Sequence, residues 1–287
     1  MVGIVVVAYK SAQMTIDFVK REHHNIDIPF VMCIVNNEAT DEDSQMIADG
    51  IGAEIVDNSF RASDCSNIFF VISSKENLGF AKGNNLGTNF LLANFKITHL
   101  LFSNNDIEIK SQNCISVLVN KLESDKRIGA IGPRVISLDG TYQWPHDRVI
   151  SIYRQIGWIV LPFLRRKHKK EANDNPVPPS DFTYWVQGSF LLMSAEVFKQ
   201  IGMFDPHTFL YAEEPILAEK LRLIGKHMYY ESSVEVLHYE GGTIVKKHGS
   251  KKSEQMVMES NCYYYRKYLH NNAFLVWVYK TLFNLTK

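Results

Sequence analysis

Short apolar strands alternate with amphipathic helices through the first half of the chain, and this alternation limits the fold more than any other feature. Val2 to Ala8 is an uninterrupted apolar, β-branched run, which is typical of a strand covered on both faces. Repeated strand–helix units predict an α/β fold, a three-layer α/β/α sandwich with a mostly parallel central sheet. Further strands are predicted at residues 30–35, 53–56, 68–72, 99–102 and 128–131. Helices are predicted at residues 14–21, about 41–49 and 115–122, and another follows the glycine-rich residues and ends at about 94.

Composition excludes several classes of protein. The chain has 287 residues, 46% of them hydrophobic and 22% charged, which is an ordinary balance for a soluble globular protein. The chain has 31 basic residues (lysine and arginine) and 31 acidic residues (aspartate and glutamate). Because the formal charge is therefore zero, no overall cationic field is available for nucleic acid, and we expect no nucleic-acid partner.

Cysteine spacing and the apolar runs bear on the compartment. The four cysteines form no Cys-x-x-Cys pair, which favours a reducing compartment. No signal peptide is evident at the N-terminus, so we expect a cytoplasmic protein. The longest apolar run, Ile156 to Leu164, is about half the length that a membrane-spanning helix needs. The cysteines are Cys33, Cys65, Cys114 and Cys262.

Polar residues follow several of the predicted strands at the point where each strand ends. In open parallel sheets, ligands bind outside the carboxyl ends of the strands. Tyr9, Asn36 and Asn37 end the first two strands, and Asn104-Asn105-Asp106 follows another. A carboxylate at such a strand end can hold a divalent cation that also binds a diphosphate. The alternative is that Asn-Asn-Asp only forms a turn.

A glycine-rich segment, residues 77–87, precedes the third helix. Its glycines allow close approach of a ligand to the backbone, and the helix start offers amides to phosphate. The spacing matches neither the dinucleotide fingerprint nor a P-loop. The alternative is a loop-to-helix junction whose glycines serve tight packing.

The pattern changes after Pro133. A hairpin is predicted at Asp139-Gly140, one strand at 184–193, a helix at 195–200, and late strands at 228–230 and 234–237.

Two further motifs in this half carry chemistry. Glu213-Glu214 stands at a helix start beside aromatic residues. Burial and the adjacent like charge would raise the pKa of one carboxylate, which could then act as a general base. The alternative is that both acids only complement the helix dipole. His238, followed by the double glycine 241–242, is either a metal ligand or a hydrogen-bonded surface group.

Two apolar segments suit a membrane interface. Residues 156–164 are followed by the basic run 165–170, and residues 274–283 are apolar and aromatic. Apolar residues with tryptophan beside basic residues favour peripheral association with an anionic membrane. The alternative is ordinary core together with solvated charges.

These segments, in this order, resemble the family 2 glycosyltransferases with the GT-A fold, and most of all the non-processive, rhamnosyltransferase-like members that build bacterial surface polysaccharides. The resemblance runs over residues 2–245 and is carried by five blocks in register. It implies a single glycosyltransferase domain at 1–245, with nucleotide-binding and acceptor-binding halves, and a C-terminal helical, amphipathic extension at 246–287. The five blocks are residues 5–10, 35–41, 77–87, 104–106 and 187–214.

The resemblance also implies roles for individual residues. On the donor side, Ala8 and Tyr9 would contact the nucleotide base, and Asn37 would face the base or the ribose. Asn77, Gly79 and Lys82 would lie near the nucleotide and its diphosphate. Asn104 and Asn105 would belong to the metal motif. Asp106 would be the metal-binding carboxylate and His238 would complete the metal site. Glu214 would be the general base, with Glu213 as its neighbour.

The implied activity is an inverting, non-processive transfer of one sugar with Mg²⁺ or Mn²⁺. The donor would be a dTDP- or UDP-sugar, and the acceptor a glycan or lipid-linked oligosaccharide in O-antigen or capsule synthesis, at the inner face of the cytoplasmic membrane. Asn36, Asn104 and Glu214 depart from the family's usual aspartates, so a non-catalytic nucleotide-sugar or glycan-binding module is the alternative. A nucleotidyltransferase is disfavoured because Lys10-Ser11-Ala12 lacks the glycine-rich first loop of that class.

Overall fold

The structure is a computed structural model that describes residues 1–57, 60, 68–163, 177–239 and 250–286. Four features of the sequence lie outside the described residues: Cys65, the basic run 165–170, residues 240–243 and the expected domain boundary at 245/246.

Eleven strands and nine helices occur within the described ranges. The strands are β1 (Val2–Tyr9), β2 (Phe30–Asn37), β3 (Glu54–Val56), β4 (Phe69–Ser74), β5 (His99–Ser103), β6 (Ile107–Ile109), β7 (Ile128–Ser137), β8 (Tyr142–Gln143), β9 (Asp181–Thr183), β10 (Phe190–Ser194) and β11 (His227–His238). The helices are α1 (Ala12–Glu22), α2 (Asp41–Ile51), α3 (Gly79–Asn94), α4 (Cys114–Ser124), α5 (Ile152–Val160), α6 (Ala195–Gln200), α7 (Glu213–Arg222), α8 (Ser250–Lys267) and α9 (Ala273–Leu285).

All the strands belong to one sheet. Its main path runs β3-β4-β2-β1-β5-β10-β7-β11-β6, with β8 attached to β7 and β9 to β11. The first five strands are parallel to one another, and β10 runs antiparallel between β5 and β7. The predicted mostly parallel sheet is therefore confirmed.

Both faces of the sheet are covered, which explains the uninterrupted apolar run of β1. Ile4 and Val6 pack into a core layer with α1, α2 and α4, whereas Val5 points into the opposite layer with α3, α6 and α7. All three side chains are essentially inaccessible to solvent. The three-layer sandwich that the alternation predicts is thus present, with a core on each side of the sheet.

A third, smaller core lies beyond the sandwich. It joins α5, α8 and α9 to α7 through the buried side chains Ile152, Ile216, Tyr265 and Tyr279. Tyr265 and Tyr279 meet edge to face, with ring centroids 5.5 Å apart. The C-terminal helices therefore pack onto the helix that begins at Glu213.

Three sequence predictions of strands differ from the structure. Residues 184–193 were expected as one strand, but only 190–193, the start of β10, are extended, and the short strand β9 ends just before this segment. The two late strands are one, β11, whose pairing with β7 shifts between Glu231 and Glu235. Strand β6 was not predicted, because three residues are too few to show a period of two.

Within the described ranges, no helix combines the length and the apolar character that crossing a bilayer demands.

Candidate active site

A cavity of about 470 Å³ opens between the carboxyl end of the sheet and the C-terminal helices. Asn104 reaches it from the end of β5, His238 from the end of β11, and Glu213 and Glu214 from the start of α7. Asn104, His238 and the carboxylate pair, which are far apart in sequence, therefore line one space. The aromatic wall of the cavity includes Phe80, Tyr184, Trp185, Tyr211, Tyr264 and Tyr265.

Strand pairing brings Asp106 and His238 together. In the antiparallel ladder between β6 and β11, His238 lies opposite Ile107, and the Tyr239 N–H donates to the Asp106 carbonyl at 2.8 Å. As a result, Asp106 Oδ1 lies 3.2 Å from His238 Nε2, and the two side chains are only 12% and 13% exposed.

Two amides complete this cluster. Asn104 Nδ2 lies 3.4 Å from His238 Nε2, and Gln143 Nε2 lies 3.1 Å from His238 Nδ1 on the other edge of the ring. Gln143 Oε1 also lies 3.4 Å from Nδ1. An acceptor for the N–H of the far ring nitrogen fixes the tautomer and orientation of a histidine that serves as a metal ligand.

The side chains of this cluster fit a divalent cation that also takes ligands from a bound molecule. Asp106 offers carboxylate oxygens, His238 an imidazole nitrogen and Asn104 an amide oxygen, all of which Mg²⁺ or Mn²⁺ accepts. Among the residues the structure describes, no three histidine, cysteine, aspartate or glutamate side chains gather to form a closed site. An open site with few protein ligands leaves coordination positions for phosphate oxygens.

The carboxylate pair stands at the first two positions of α7. Tyr211 and Ala212 both adopt left-handed backbone angles (φ 75° and 66°) just before α7. Glu213 is buried, and its Oε1 has no hydrogen-bond partner within the described part of the chain. Burial and the neighbouring negative charge of Glu214 raise the pKa of Glu213 well above its ordinary range.

Glu214 has a defined partner. Its Oε1 accepts a hydrogen bond from the Gly188 N–H at 3.1 Å, and a Cβ on Gly188 would lie only 2.7 Å from that oxygen. Burial raises the pKa of Glu214 too, while the Gly188 N–H favours the charged form and opposes the shift. The absence of a side chain at Gly188 therefore lets the Glu214 carboxylate come within hydrogen-bond distance of the Gly188 N–H.

The glycine-rich segment forms the junction between the two halves of the sandwich. Gly79 has φ +71°, and a Cβ there would lie 2.1 Å from the Phe209 carbonyl oxygen, which accepts a bond from the Phe80 N–H at 2.9 Å. Asn77 Oδ1 accepts from the Gly79 N–H at 3.0 Å, and Asn37 Nδ2 donates to the Gly79 carbonyl at 3.3 Å. The interpretation of this segment as tight packing is thus satisfied, and its role toward a nucleotide stays a prediction.

The remaining donor-side residues lie at the ends of the first two strands. Ala8 and Tyr9 pair with Asn36 and Asn37 across the parallel ladder. Ala8, Asn36 and Asn37 are buried, and Tyr9 is half-buried. Lys82 is exposed on the first turn of α3.

Asn105 lies in a different environment from its neighbours. Its Nδ2 donates to Ser11 Oγ at 2.9 Å and to Thr15 Oγ1 at 2.8 Å, both at the start of α1. The side chain therefore fastens the strand-end turn to a helix. Its role in the predicted metal motif stays a prediction.

Sequence reasoning missed a buried polar hub at Asp205. Its carboxylate accepts from the hydroxyls of Tyr263 and Tyr268, from Lys267 Nζ at 3.1 Å and from the His207 backbone N–H at 3.0 Å. Burial alone would raise the pKa of Asp205, but these hydrogen bonds outweigh it and lower the pKa well below its usual range. The run Tyr263-Tyr264-Tyr265 was the available signal, since consecutive tyrosines in a helix cannot all face one core.

A family match covers most of the sandwich. The family described as "Glycosyl transferase family 2" matches residues 3–202.

Curated relatives are similar over shorter stretches. An N-acetylglucosaminyl-diphospho-decaprenol L-rhamnosyltransferase of Mycobacterium tuberculosis is 30% identical over 135 residues, 44% of this chain and 42% of that protein. Rhamnosyltransferase WbbL of Escherichia coli K12 is 23% identical over 56% of this chain and 61% of its own. The low-salt glycan biosynthesis hexosyltransferase Agl10 of Haloferax volcanii is 29% identical over 50% and 43%, respectively. The matches thus span about half the length of these relatives.

Solved structures share the fold. A mannosyltransferase from Pyrobaculum calidifontis, in complex with GDP-Man and Mn²⁺, superposes with a TM-score of 0.57 at 13% identity, covering 98% of this chain and 69% of that one. GalNAc-T7 with UDP, GalNAc and Mn²⁺ gives the same TM-score and identity over 100% of this chain and 55% of the other. The GT-A architecture predicted from the sequence is confirmed by this likeness.

Proposed function

The chain belongs to glycosyl transferase family 2, and on that premise we propose that it transfers a single sugar from a nucleoside diphosphate donor to an acceptor hydroxyl. The observation that supports the proposal is the shared cavity, which Asn104 and His238 line together with Glu213 and Glu214. Leaving-group stabilisation and proton removal require groups on two sides of the reacting carbon, and this cavity supplies both.

Asp106 and His238, with Asn104 beside them, would hold Mg²⁺ or Mn²⁺ against the diphosphate. The cation would neutralise the negative charge that develops on the diphosphate as the sugar–phosphate bond breaks. Gln143 Oε1 lies 3.4 Å from His238 Nδ1 and can accept a hydrogen bond from its N–H, which would leave the Nε2 lone pair for the cation.

Glu214 is proposed as the general base and Glu213 as its protonated neighbour. Two adjacent buried carboxylates do not both ionise easily, and the pair shares its protons. The Gly188 N–H stabilises the charged form of Glu214, whereas Glu213 Oε1 is buried with no described partner. Glu214 is therefore the member that remains ionised and accepts the proton of the acceptor hydroxyl. A single base with direct displacement gives inversion at the anomeric carbon.

The donor and acceptor follow from the kind of relative that the chain matches. Rhamnosyl- and hexosyltransferases are among these relatives, and the first is named for a diphospho-decaprenol acceptor. We accordingly propose a dTDP- or UDP-sugar donor, a glycan or lipid-linked oligosaccharide acceptor, and a role in surface polysaccharides such as O-antigen or capsule. The protein would work in the cytoplasm, at the inner face of the membrane.

A second candidate function is a non-catalytic nucleotide-sugar or glycan-binding module. The observation that favours it is Asn104, an amide in the cavity where a stronger carboxylate ligand is usual for a divalent cation.

One experiment separates the two functions. Candidate nucleotide sugars are screened with and without Mn²⁺ for thermal stabilisation, since a bound donor raises the unfolding temperature by mass action. The stabilising donor is then incubated with Mn²⁺ and a panel of soluble glycan acceptors, and release of its nucleoside diphosphate, as the sugar passes to an acceptor hydroxyl or to water, is measured. Release by the wild type and its loss in Glu214→Gln support the transferase, whereas binding without any release supports the binding module.

A further inference from the structure

Charge is distributed very unevenly along this formally neutral chain. Residues 148–170 contain seven lysines and arginines, residues 260–287 contain four, and neither stretch contains an aspartate or glutamate. The remaining residues therefore carry a formal charge of −11. Of these basic residues, Arg154 lies on α5 and Lys280 on α9, and the run 165–170 begins two residues after Phe163, the last described residue before it.

Helices α5 and α9 pack together and turn their inner faces to the third core. Ile152 of α5 and Tyr279 of α9 are buried there against α8. The Asn261 amide donates to the Tyr279 hydroxyl at 3.4 Å, which fixes α9 on the body of the protein. The outer faces of both helices are consequently held in a defined orientation.

The outer faces carry large apolar side chains in solvent. On α9, Phe274 is 71% exposed and Trp277 is 60% exposed, and their rings stack with centroids 5.9 Å apart. On α5, Tyr153 is 69% exposed. Other exposed apolar residues of the pair, and of the turn after α5, are Val160, Leu161, Phe163 and Leu285. Single exposed apolar residues are common on protein surfaces, but a cluster of large exposed apolar side chains marks an interaction surface.

We infer that these outer faces of α5 and α9 form a docking surface for an anionic phospholipid bilayer. Two properties select a bilayer as the occupant. Aromatic and aliphatic side chains insert at the headgroup boundary, and neighbouring lysines and arginines are attracted to anionic headgroups. Neither α5 nor α9 carries an acidic residue that anionic headgroups would repel.

The surface is continuous with the active site. Gln155 of α5 lines the cavity that holds Glu214, while Tyr153 of the same helix faces solvent. A bilayer on this surface would lie beside the cavity, where a lipid-linked acceptor presents its sugar. In this respect the inference rests on the proposed function, but attachment to lipid requires no sugar transfer.

The test is co-sedimentation of the full chain with vesicles of phosphatidylcholine alone or mixed with phosphatidylglycerol. The wild type is expected to bind the mixed vesicles and to be released by salt, because its charges are screened. The double variant Phe274→Ser/Trp277→Ser should bind at least about tenfold more weakly, since two exposed aromatic side chains no longer insert. Tyr153→Ser on α5 should weaken binding as well.

Leu223→Ser is the matched control. Leu223 is 84% exposed but lies outside both helices, so its loss should leave vesicle binding unchanged. Equal binding of wild type and double variant, or no preference for phosphatidylglycerol, would overturn the inference. A concentration-dependent dimer that the double variant abolishes, without vesicle binding, would instead assign the surface to a second copy of this chain.

Transfer to a soluble acceptor is measured on the same proteins. If vesicle binding holds while transfer is absent, the proposed function fails and the docking surface stands. If the wild type transfers sugar but ignores vesicles, the docking surface fails alone.

Discussion

Asp106 Oδ1 lies 3.2 Å from His238 Nε2, although the two residues stand in different halves of the chain. The contact exists because β6, which begins one residue after Asp106, pairs with the end of β11. The short strand therefore brings a carboxylate from the first half of the chain to a histidine from the second half. Removing either side chain abolishes this contact.

Asp106→Asn is expected to abolish the cation-dependent part of donor binding. The substitution keeps the shape but removes the charge that a divalent cation needs from its only carboxylate ligand in the proposed set. The measurement is the Mn²⁺-dependent rise in unfolding temperature with the stabilising nucleotide sugar. Glu108→Gln is the control, because Glu108 lies two residues away and is paired with Lys110. Undiminished Mn²⁺ dependence in Asp106→Asn would contradict the metal assignment.

Glu214→Gln is expected to lower kcat at least about 100-fold, since a positioned general base contributes roughly 10²–10⁴ in rate. Donor affinity should change little, because the glutamine oxygen can still accept from the Gly188 N–H. Steady-state transfer kinetics and donor titration provide the two readouts. Glu196→Gln, an exposed acid at the start of α6, should retain activity. Wild-type kcat in Glu214→Gln would exclude this residue as the base.

Glu213 should make stability depend on pH. Burial and the adjacent Glu214 raise its pKa from the ordinary value of 4.5 to about 8. The folded protein therefore holds a proton that the unfolded chain releases, so this stabilisation is complete below pH 4.5 and declines as pH rises toward 8. Glu213→Gln, which mimics the protonated form, should lose less stability between these pH values, by at least about 1 kcal/mol. Urea unfolding at several pH values tests this, and parallel pH profiles would contradict it.

Gly79→Ala should destabilise the protein by about 3 kcal/mol or more. The added Cβ would lie 2.1 Å from the Phe209 carbonyl oxygen in a backbone with φ +71°, so either α3 or the 209–212 turn must move. Gly140→Ala is the matched control, because Gly140 also has positive φ but has nothing within 4 Å of its Cβ position. That variant should cost only about 1 kcal/mol. Equal losses in urea unfolding would show that backbone conformation, and not the contact, decides the cost.

Asp205→Asn is expected to loosen the C-terminal helices. Lys267 and the hydroxyls of Tyr263 and Tyr268 would lose a charged acceptor in a buried place, at a cost of about 2–4 kcal/mol. Hydrogen exchange should rise in α8 and α9 before it rises in the sheet. Asp181→Asn, an exposed residue at the start of β9, should show neither effect. Unchanged exchange in α8 would refute the anchoring role of Asp205.

The sequence by itself determined the central layers of the fold and the edge at which the site lies. The spacing of apolar residues and the polar residues at strand ends are local properties of the sequence. For this reason β1, β2 and β5 and the helices between them were predicted with bounds close to those observed. The motifs 104–106 and 213–214 were selected on residue chemistry alone, and the structure brings Asn104 and the carboxylate pair into one cavity.

Only the tertiary structure decided which neighbours each of these side chains has. Asn105 faces α1 while Asp106 meets His238, a division within one tripeptide that depends on the pairing of β6 with a strand distant in sequence. The same holds for Gly188 beside Glu214 and for the tyrosines of α8 around Asp205. Local pattern specifies that a residue is buried or polar, but strand register and helix packing arise from contacts between distant segments, and these contacts set the distances on which chemistry depends.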